Sequence, residues 1–310
     1  MTSHRRILAL LAVLVLALAG CGGDDGGGEG SDDARSLLKK AFSKQVESAD
    51  LKLDFKAELD GVEQLRGPLS LTLKGPFKNN GDKKLPTLDW DISAQGAGQK
   101  LSAGLTVTED NAYVSFQGQD YEAGRQFFEQ ITKSFGQRKP SNEQSLKQFG
   151  VDPETWLEDP KVEDGEDIGG DSTRKISGKV DVRKVVQDGL DLLRSPALRR
   201  QLQSQGQTVP QIPEVKDKDI DRIEDAINEL KFEVNVDEND IARRLFAQAK
   251  FEVPEQADAG GLKGGDISFG FVLEEVGIDP EIKAPANPQP LSGLLGRFGL
   301  GGGLPVPQQQ

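Results

Sequence analysis

The sequence predicts an α+β fold: one curved antiparallel sheet, a half-barrel, with helices packed on its concave, apolar face. Two observations support this. First, apolar and polar residues alternate strictly in ADLKLDFKAEL (49–59), which is typical of a strand with one buried face. Second, short turns connect most such segments, which favours antiparallel pairing and leaves the polar face of the sheet to water. Helices must then cover the apolar face.

The first half of the chain supplies five of these strands and one helix. AGRQFFEQITKSFG (123–136) carries Phe127, Phe128, Ile131 and Phe135 at helical spacing, and Gly136 ends it. The strands are predicted over ADLKLDFKAEL (49–59), LSLTLKG (69–75), LDWDISA (88–94), LSAGLTVTE (101–109) and AYVSFQG (112–118).

The rest of the chain mixes helices and strands. SNEQSLKQFG and PETWL predict short helices, Asp181 caps the helix VRKVVQDGLDLL, and DKDIDRIEDAINEL (217–230) predicts another helix. The acidic segment 158–171 is predicted to be a loop. The turn DEND joins two strands of a hairpin. Strands are predicted over 172–180, 231–236, 241–253 and 267–276, giving about nine strands and four or five helices in all.

The N-terminus predicts a secreted, lipid-anchored protein. Arg5 and Arg6 precede an apolar run from Ile7 to Ala19, which is shorter than the ~20 residues that a membrane span needs. Leu18-Ala19-Gly20-Cys21 resembles the lipobox of bacterial lipoproteins. The resemblance implies that residues 1–20 are a signal peptide and that Cys21, the chain's single cysteine, is lipidated. Residues 21–31 are then a flexible tether at the extracytoplasmic face of the cell membrane.

Charge and cysteine content restrict the partners. Removal of residues 1–20 leaves 36 basic and 51 acidic residues, a net charge of −15. Nucleic acid is therefore not an expected partner. Anionic head groups repel such a chain, so its contact with the membrane must be made by the lipid on Cys21. A single cysteine also allows no intramolecular disulfide, so stability must come from an apolar core.

The expected mature chain has no histidine, because His4 is the only one. A Ser-His-Asp or Cys-His site is therefore not expected, and neither a metal nor a cofactor is predicted. The acidic residues of 163–171 are interpreted as a solvated loop, although such oxygens could bind calcium weakly. Asp237, Glu238 and Asp240 are interpreted as turn residues. No catalytic residue is predicted, and we expect a protein that is not an enzyme.

The order of elements resembles the lipid-carrier lipoproteins of the LppX/LprG type, within the wider group of LolA-like half-barrels. An N-terminal helix leads into ADLKLDFKAEL, and LTVTEDNAYVSFQGQDYEAG looks like the strand pair that runs into the group's helix. KFEVNVDENDIARRLFAQAKFEV and EVGIDPEIKAPAN look like its late hairpin and closing strand. The resemblance implies one domain over residues 32–286, with excursions at 137–171 and 195–216. Residues 287–310 are predicted to be a disordered tail rich in Pro, Gly and Gln.

The resemblance further implies a carrier that binds lipid or lipoglycan acyl chains in an apolar cavity for transport or presentation in the envelope. Periodicity tells which residues face inward but leaves open whether that interior is hollow or is a packed core. The predicted lining residues are Leu53, Phe55, Leu71, Leu73, Trp90, Leu105, Val114, Phe116, Val185, Val186, Phe232, Val234 and Phe271.

Two other functions stay open at this point. The first is a tethered interaction module that has a packed core and binds an envelope protein or polymer. The second is a hydrolase that uses a pair of carboxylates. Separately, LSGLLGRFGL (291–300) either docks on the cavity mouth or the membrane, or belongs to a disordered tail.

Overall fold

Twelve strands dominate the computed structural model, which describes residues 31–62, 67–81, 84–136, 153–195, 217–254 and 261–297. They belong to one mostly antiparallel sheet that does not close into a barrel. The strands are β1 (Ser48–Asp60), β2 (Leu69–Lys78), β3 (Thr87–Gly96), β4 (Gln99–Val107), β5 (Ala112–Phe116), β6 (Gln119–Glu122), β7 (Leu157–Asp164), β8 (Thr173–Val180), β9 (Ile227–Asp237), β10 (Ala242–Glu252), β11 (Gly264–Glu274) and β12 (Gln289–Pro290).

Five α-helices accompany the sheet in the described part of the chain, which confirms the predicted α+β class. A short 3-10 helix, Pro153–Thr155, precedes β7. The α-helices are α1 (Ser31–Ser43), α2 (Arg125–Gly136), α3 (Val182–Arg194), α4 (Asp217–Ala226) and α5 (Leu291–Arg297).

The chain divides into two compact units. The β1–β6 unit comprises Val46–Pro140 and Asp266–Gln310, and the β7–β10 unit comprises Met1–Gln45 and Ser141–Gly265. The strand order is β12-β6-β5-β4-β3-β2-β1-β11 in the first unit and β10-β9-β8-β7 in the second. The prediction of a single domain over residues 32–286 stays a prediction.

Within the β1–β6 unit, each strand from β1 to β5 pairs antiparallel with the strand that follows it in sequence, as in a series of hairpins. Leu53 lies opposite Leu73, and Trp90 lies opposite Leu105. The only parallel pair described in this unit joins β12 to β6, with Gln289 opposite Tyr121. Helix α5 packs on these two strands.

Within the β7–β10 unit, helices cover one face of the sheet. Helix α1 packs on β7 and β9, and it buries Leu37 and Leu38 almost completely. Helix α4 packs against α3 and β9. Asp181 caps α3, as predicted, because its carboxylate accepts a hydrogen bond from the Lys184 backbone N–H at 2.9 Å.

The structure corrects three local predictions. The segment predicted as an acidic loop begins with a strand, since β7 runs to Asp164. The helix predicted over 217–230 ends at Ala226, and β9 starts at Ile227. Residues 289–297 of the segment predicted to be disordered form β12 and α5, with Leu294 buried.

Other predictions fall outside the described residues. They include the signal peptide, the tether with Cys21, the helix in SNEQSLKQFG and residues 196–216 of the excursion predicted at 195–216.

Candidate functional site

The β1–β6 unit presents a continuous apolar face on strands β1 to β5. Side chains directly opposite each other on paired strands point to the same side of the sheet. The register therefore aligns several rows on one side. Three of them are Phe55–Leu71–Ala94–Leu101, Leu53–Leu73–Ile92–Ala103–Phe116 and Trp90–Leu105–Val114–Tyr121, and we call these side chains the apolar face. A further row on the same side, Ala49–Phe77–Leu88–Val107–Ala112, is buried at Ala49 and Leu88.

Most of the apolar face is only partly covered. Leu53 and Phe55 on β1 are 5% and 9% exposed, as in an ordinary core. Leu101, at the far end of its row, is 54% exposed. The six predicted lining residues on β2 to β5 are all half-buried: Leu71, Leu73, Trp90, Leu105, Val114 and Phe116.

The opposite side of these strands is polar, and its side chains bond to one another. Thr106 Oγ1 donates to Asp89 Oδ1 at 2.8 Å, and Thr72 Oγ1 donates to Asp54 Oδ1 at 3.0 Å. Much of this side faces water, as the alternation predicted, but Thr106 and Tyr113 on it are buried.

The predicted lining residues of the β7–β10 unit have a different setting. Phe232 and Val234 on β9 are 3% and 0% exposed. The Phe232 ring meets the Trp156 ring edge-on at a centroid distance of 5.4 Å. Val185 and Val186 on α3 are half-buried, and so is the remaining predicted residue, Phe271, on β11 of the other unit. Their part in ligand binding stays a prediction.

Two carboxylates are buried among the described residues, and both belong to the β7–β10 unit. Asp188 accepts hydrogen bonds from Trp156 Nε1 and Lys184 Nζ, each at 2.8 Å. Asp237 lies 3.2 Å from Nη1 of the buried Arg243. Each carboxylate is thus occupied by a cation of its own, which is a structural arrangement rather than the free acid and base that hydrolysis uses.

Sequence reasoning did not identify Arg243 as a buried charged residue. It is 1% exposed, and it contacts Asp237, Asp171 and the carbonyl of Ile168, the last at 3.2 Å. The segment interpreted as a solvated loop is therefore anchored by a buried guanidinium, and Asp237 is a buried ion-pair partner as well as a turn residue. A signal was present, because two consecutive arginines follow the turn in IARR.

The shifted titrations of the described residues lie at exposed ion pairs and not on the apolar face. Hydrogen bonds to Glu58, Asp279 and Glu158 raise the pKa of Lys56, Lys78 and Lys179 respectively. The side chains of the apolar face carry no carboxylate, ammonium or guanidinium group of their own, but the Arg297 guanidinium reaches the edge of the face, where Nη1 donates to the Tyr121 hydroxyl at 3.4 Å. The rest of this surface is mainly aliphatic and aromatic.

Within the described ranges, no group of three or more His, Cys, Asp and Glu residues is placed to hold a metal ion. None of the described helices is long and apolar enough to cross a membrane.

No protein-family model and no curated protein matches the chain. Several solved structures are similar to it. The Mycobacterium tuberculosis lipoprotein LppX is 10% identical, with 81% of this chain and 98% of that chain covered and a TM-score of 0.36. LprF from Mycobacterium bovis is 14% identical, with 84% and 100% covered and a TM-score of 0.36.

A DUF1329 family protein from Desulfovibrio piger is also similar, at 10% identity, with 81% and 96% covered and a TM-score of 0.21. The lipoprotein type that the sequence resembles is thus represented among these structures. At 10–14% identity the likeness concerns the fold alone.

Proposed function

We propose that this protein is a membrane-tethered extracytoplasmic lipoprotein that binds the acyl chains of a lipid or lipoglycan on its apolar face. The observation that carries the proposal is the incomplete burial of that face. Six large apolar side chains on β2 to β5 are half-buried in one continuous patch, and Leu101 extends the patch to an exposed end. A finished core buries such residues as fully as Val234 is buried.

Acyl chains fit this surface chemically. Each CH₂ group that leaves water contributes about 0.8 kcal/mol, and the face needs no charged partner to recognise it. Binding and release of a lipid also require no titrating group, which agrees with the lack of acid–base groups on the face. We therefore propose a non-enzymatic carrier or presenter.

The tether belongs to the same proposal. A lipidated Cys21 followed by the Gly- and Asp-rich residues 22–30 would hold the folded part close to the membrane from which a lipid is taken. The strongly negative mature chain would not adhere to anionic head groups by itself. The membrane and the lipid ligand are thus the proposed partners.

The test is lipid recovery from the full chain carrying Cys21→Ser, so that no acyl chain of its own is counted. The protein is purified without detergent and extracted with organic solvent, and the extract is analysed by mass spectrometry. We expect about one acyl-chain lipid per protein. Leu73→Gln should lower this recovery at least tenfold, because it places an amide in the middle of the apolar face.

Thr72→Gln is the matched control, since Thr72 lies next in sequence on the polar side of β2. Circular dichroism checks that both variants are folded. If the folded parent protein yields no lipid and takes up no fluorescent fatty acid, the apolar face is closed. The proposal then fails, and a tethered interaction module replaces it.

A further inference from the structure

The most deeply buried side chain in one row of the apolar face lies near the edge of the sheet. In the row Trp90–Leu105–Val114–Tyr121, the first three side chains are half-buried, whereas Tyr121 is 2% exposed. Only the two residues of β12 lie beyond β6, the short strand that carries Tyr121. A strand at the edge has little sheet on its outer flank, so its side chains are expected to be the more exposed ones. An element that lies across the sheet must therefore cover Tyr121.

Helix α5 is placed to cover this end of the row. It packs on β6 and β12, and Nη1 of its last residue, Arg297, donates to the Tyr121 hydroxyl at 3.4 Å. Tyr121 points to the apolar side of the sheet, so α5 lies on that side as well. Strand β12 runs directly into α5, and we call residues 289–297 the strap.

The strap presents leucines to the sheet. Leu291, Leu294 and Leu295 occupy the i, i+3 and i+4 positions of α5, which places them on one side of the helix. Leu294 is 7% exposed, and the other two are half-buried. The apolar side of α5 therefore packs towards the strands, on surface that an acyl chain would also use.

Few interactions other than these leucines hold the strap in place. Helix α5 has seven residues, two of them glycine, and so short a helix does not persist without packing. Strand β12 pairs with β6 over two residues, and Pro290 has no N–H to donate. The hydrogen bond from Gln289 Nε2 to Gln119 Oε1 is 3.5 Å long, which makes it a weak one. The main attachment of the strap is thus apolar, and a hydrocarbon chain can replace it.

We propose that the strap is an internal competitor of the lipid: it covers one end of the apolar face in the empty protein, and a long acyl chain displaces it. This inference rests on the proposed function and adds a regulation to it. The empty carrier then hides part of its apolar surface from water. A short acyl chain fits on the uncovered part of the face and leaves the strap in place.

The test uses two probes with the same fluorophore, one with an octanoyl and one with a hexadecanoyl chain. Both are titrated into the full chain carrying Cys21→Ser, after bound lipid has been removed. Leu294→Gln places an amide under the strap and should release it. A strap that is closed about nine-tenths of the time lowers the apparent affinity about tenfold, so its release should raise the affinity for the hexadecanoyl probe by that factor. The affinity for the octanoyl probe should change less than twofold.

Ser292→Gln is the matched control, because Ser292 is exposed on the same helix. It should leave both affinities at the parent value. Circular dichroism checks that both variants are folded. Hydrogen exchange followed by mass spectrometry reports on the strap directly. The backbone amides of residues 291–297 in the parent should exchange faster with the hexadecanoyl probe bound and at the unliganded rate with the octanoyl probe.

A second variant fixes the strap in place. Glu122 and Pro290 are directly paired in the register of β6 and β12, at a spacing that a disulfide spans. Glu122→Cys with Pro290→Cys gives the Cys21→Ser chain its only two cysteines. The oxidised form should bind the hexadecanoyl probe at least tenfold more weakly than the reduced form, and both forms should bind the octanoyl probe equally.

Each outcome decides the inference. Tighter hexadecanoyl binding by Leu294→Gln, together with faster exchange in α5, supports it. If the parent binds both probes but the folded Leu294→Gln variant binds the hexadecanoyl probe no more tightly, the competition is refuted while the carrier function stands. Equal hexadecanoyl binding by the oxidised and reduced disulfide variant refutes it in the same way. If the folded parent binds neither probe, the carrier function fails and the inference fails with it.

Discussion

At the scale of single residues, the best-defined feature is the buried guanidinium of Arg243. The pairing register of β9 and β10 shifts between Ala242 and Arg244, so Arg243 is the extra residue of a β-bulge. A bulge turns a side chain away from the face that alternation would assign to it. That is why sequence reasoning placed the apolar residues of this hairpin correctly but missed its arginine.

Removing Arg243 should be costly because the buried Asp237 would lose its cationic partner and keep only the hydrogen bonds that its Oδ1 accepts from the backbone N–H groups of Asn239 and Ile241. We expect Arg243→Met to lower the free energy of unfolding by about 3–5 kcal/mol. Arg244→Met is the control, since Arg244 pairs with Glu166 in a more exposed position and should cost no more than about 1 kcal/mol. Urea denaturation measures both.

Adding Asp237→Asn to Arg243→Met should recover part of the lost stability, because it removes the stranded charge. Equal, small losses for Arg243→Met and Arg244→Met would contradict this account of the bulge.

A second residue-scale prediction concerns Gly75. Its φ of +135° is one that L side chains rarely adopt, and an added Cβ would lie 2.0 Å from the Asp89 carbonyl oxygen. Gly75→Ala should therefore cost at least about 3 kcal/mol, from backbone strain and the clash together. Gly67 separates the two effects: its φ is +82°, but a Cβ there meets nothing within 4 Å.

Gly67→Ala should cost only about 1 kcal/mol, from strain alone. Thermal unfolding followed by circular dichroism compares the two variants. If Gly75→Ala is no worse than Gly67→Ala, β2 and β3 can separate at this point without penalty.

At the scale of elements, most of the strands could be predicted from the alternation of apolar and polar residues. Strands β1 to β5 and β9 to β11 were anticipated mainly because apolar residues recur at every second position, whereas β8 has only Ile176 and Val180 as large apolar residues. β7 was missed because LEDPKVED has only Leu157 and Val162 as large apolar residues and contains a proline. The end of α4 was misplaced because Ile227 and Leu230 fit helical spacing as well as the start of β9.

The apolar face itself was predictable, but its exposure was not. Alternation tells which side of Leu73 or Val114 faces inward, whereas coverage depends on what packs there from elsewhere in the chain.

The pairing of β9 with β10 predicts a pH effect. Glu229 lies opposite Lys250, and hydrogen bonds from Lys231 and then Lys250 lower the pKa of Glu229 from 4.5 to about 2. A carboxyl whose pKa is lower in the folded state stabilises the fold above its unfolded pKa. This contribution is lost as the pH falls from about 4.5 towards 2.

Glu229→Gln should therefore unfold at slightly lower urea than the parent near neutral pH, and the difference should vanish near pH 2. Parallel urea titrations across this range provide the measurement. A difference that stays constant down to the lowest pH would show that the Glu229 charge contributes nothing.

At the scale of the whole molecule, attachment and folding are separate problems. The folded part is described from residue 31 onward, while the proposed attachment site is Cys21. Nine residues, six of them glycine, separate the two. A change at the cysteine should thus alter location without altering the fold.

We expect Cys21→Ser to move the protein from the membrane fraction to the soluble fraction after expression in a bacterium that processes lipoproteins. High salt should not release the parent protein, because its attachment would be hydrophobic. Fractionation followed by immunoblotting measures both effects. Release of the parent by salt would point instead to electrostatic adhesion and would refute lipid anchoring.

The outermost strands affect whether molecules that are crowded on a membrane surface aggregate. The edge strand β7 carries Pro160 and four acidic residues, one of which, Asp159, has a φ of +45°. At the other end, β12 offers only two residues, one of them Pro290, which has no N–H to donate. Molecules confined to a surface collide edge to edge far more often than molecules in bulk solution. Edges built in this way resist the strand addition that would turn such collisions into fibrils.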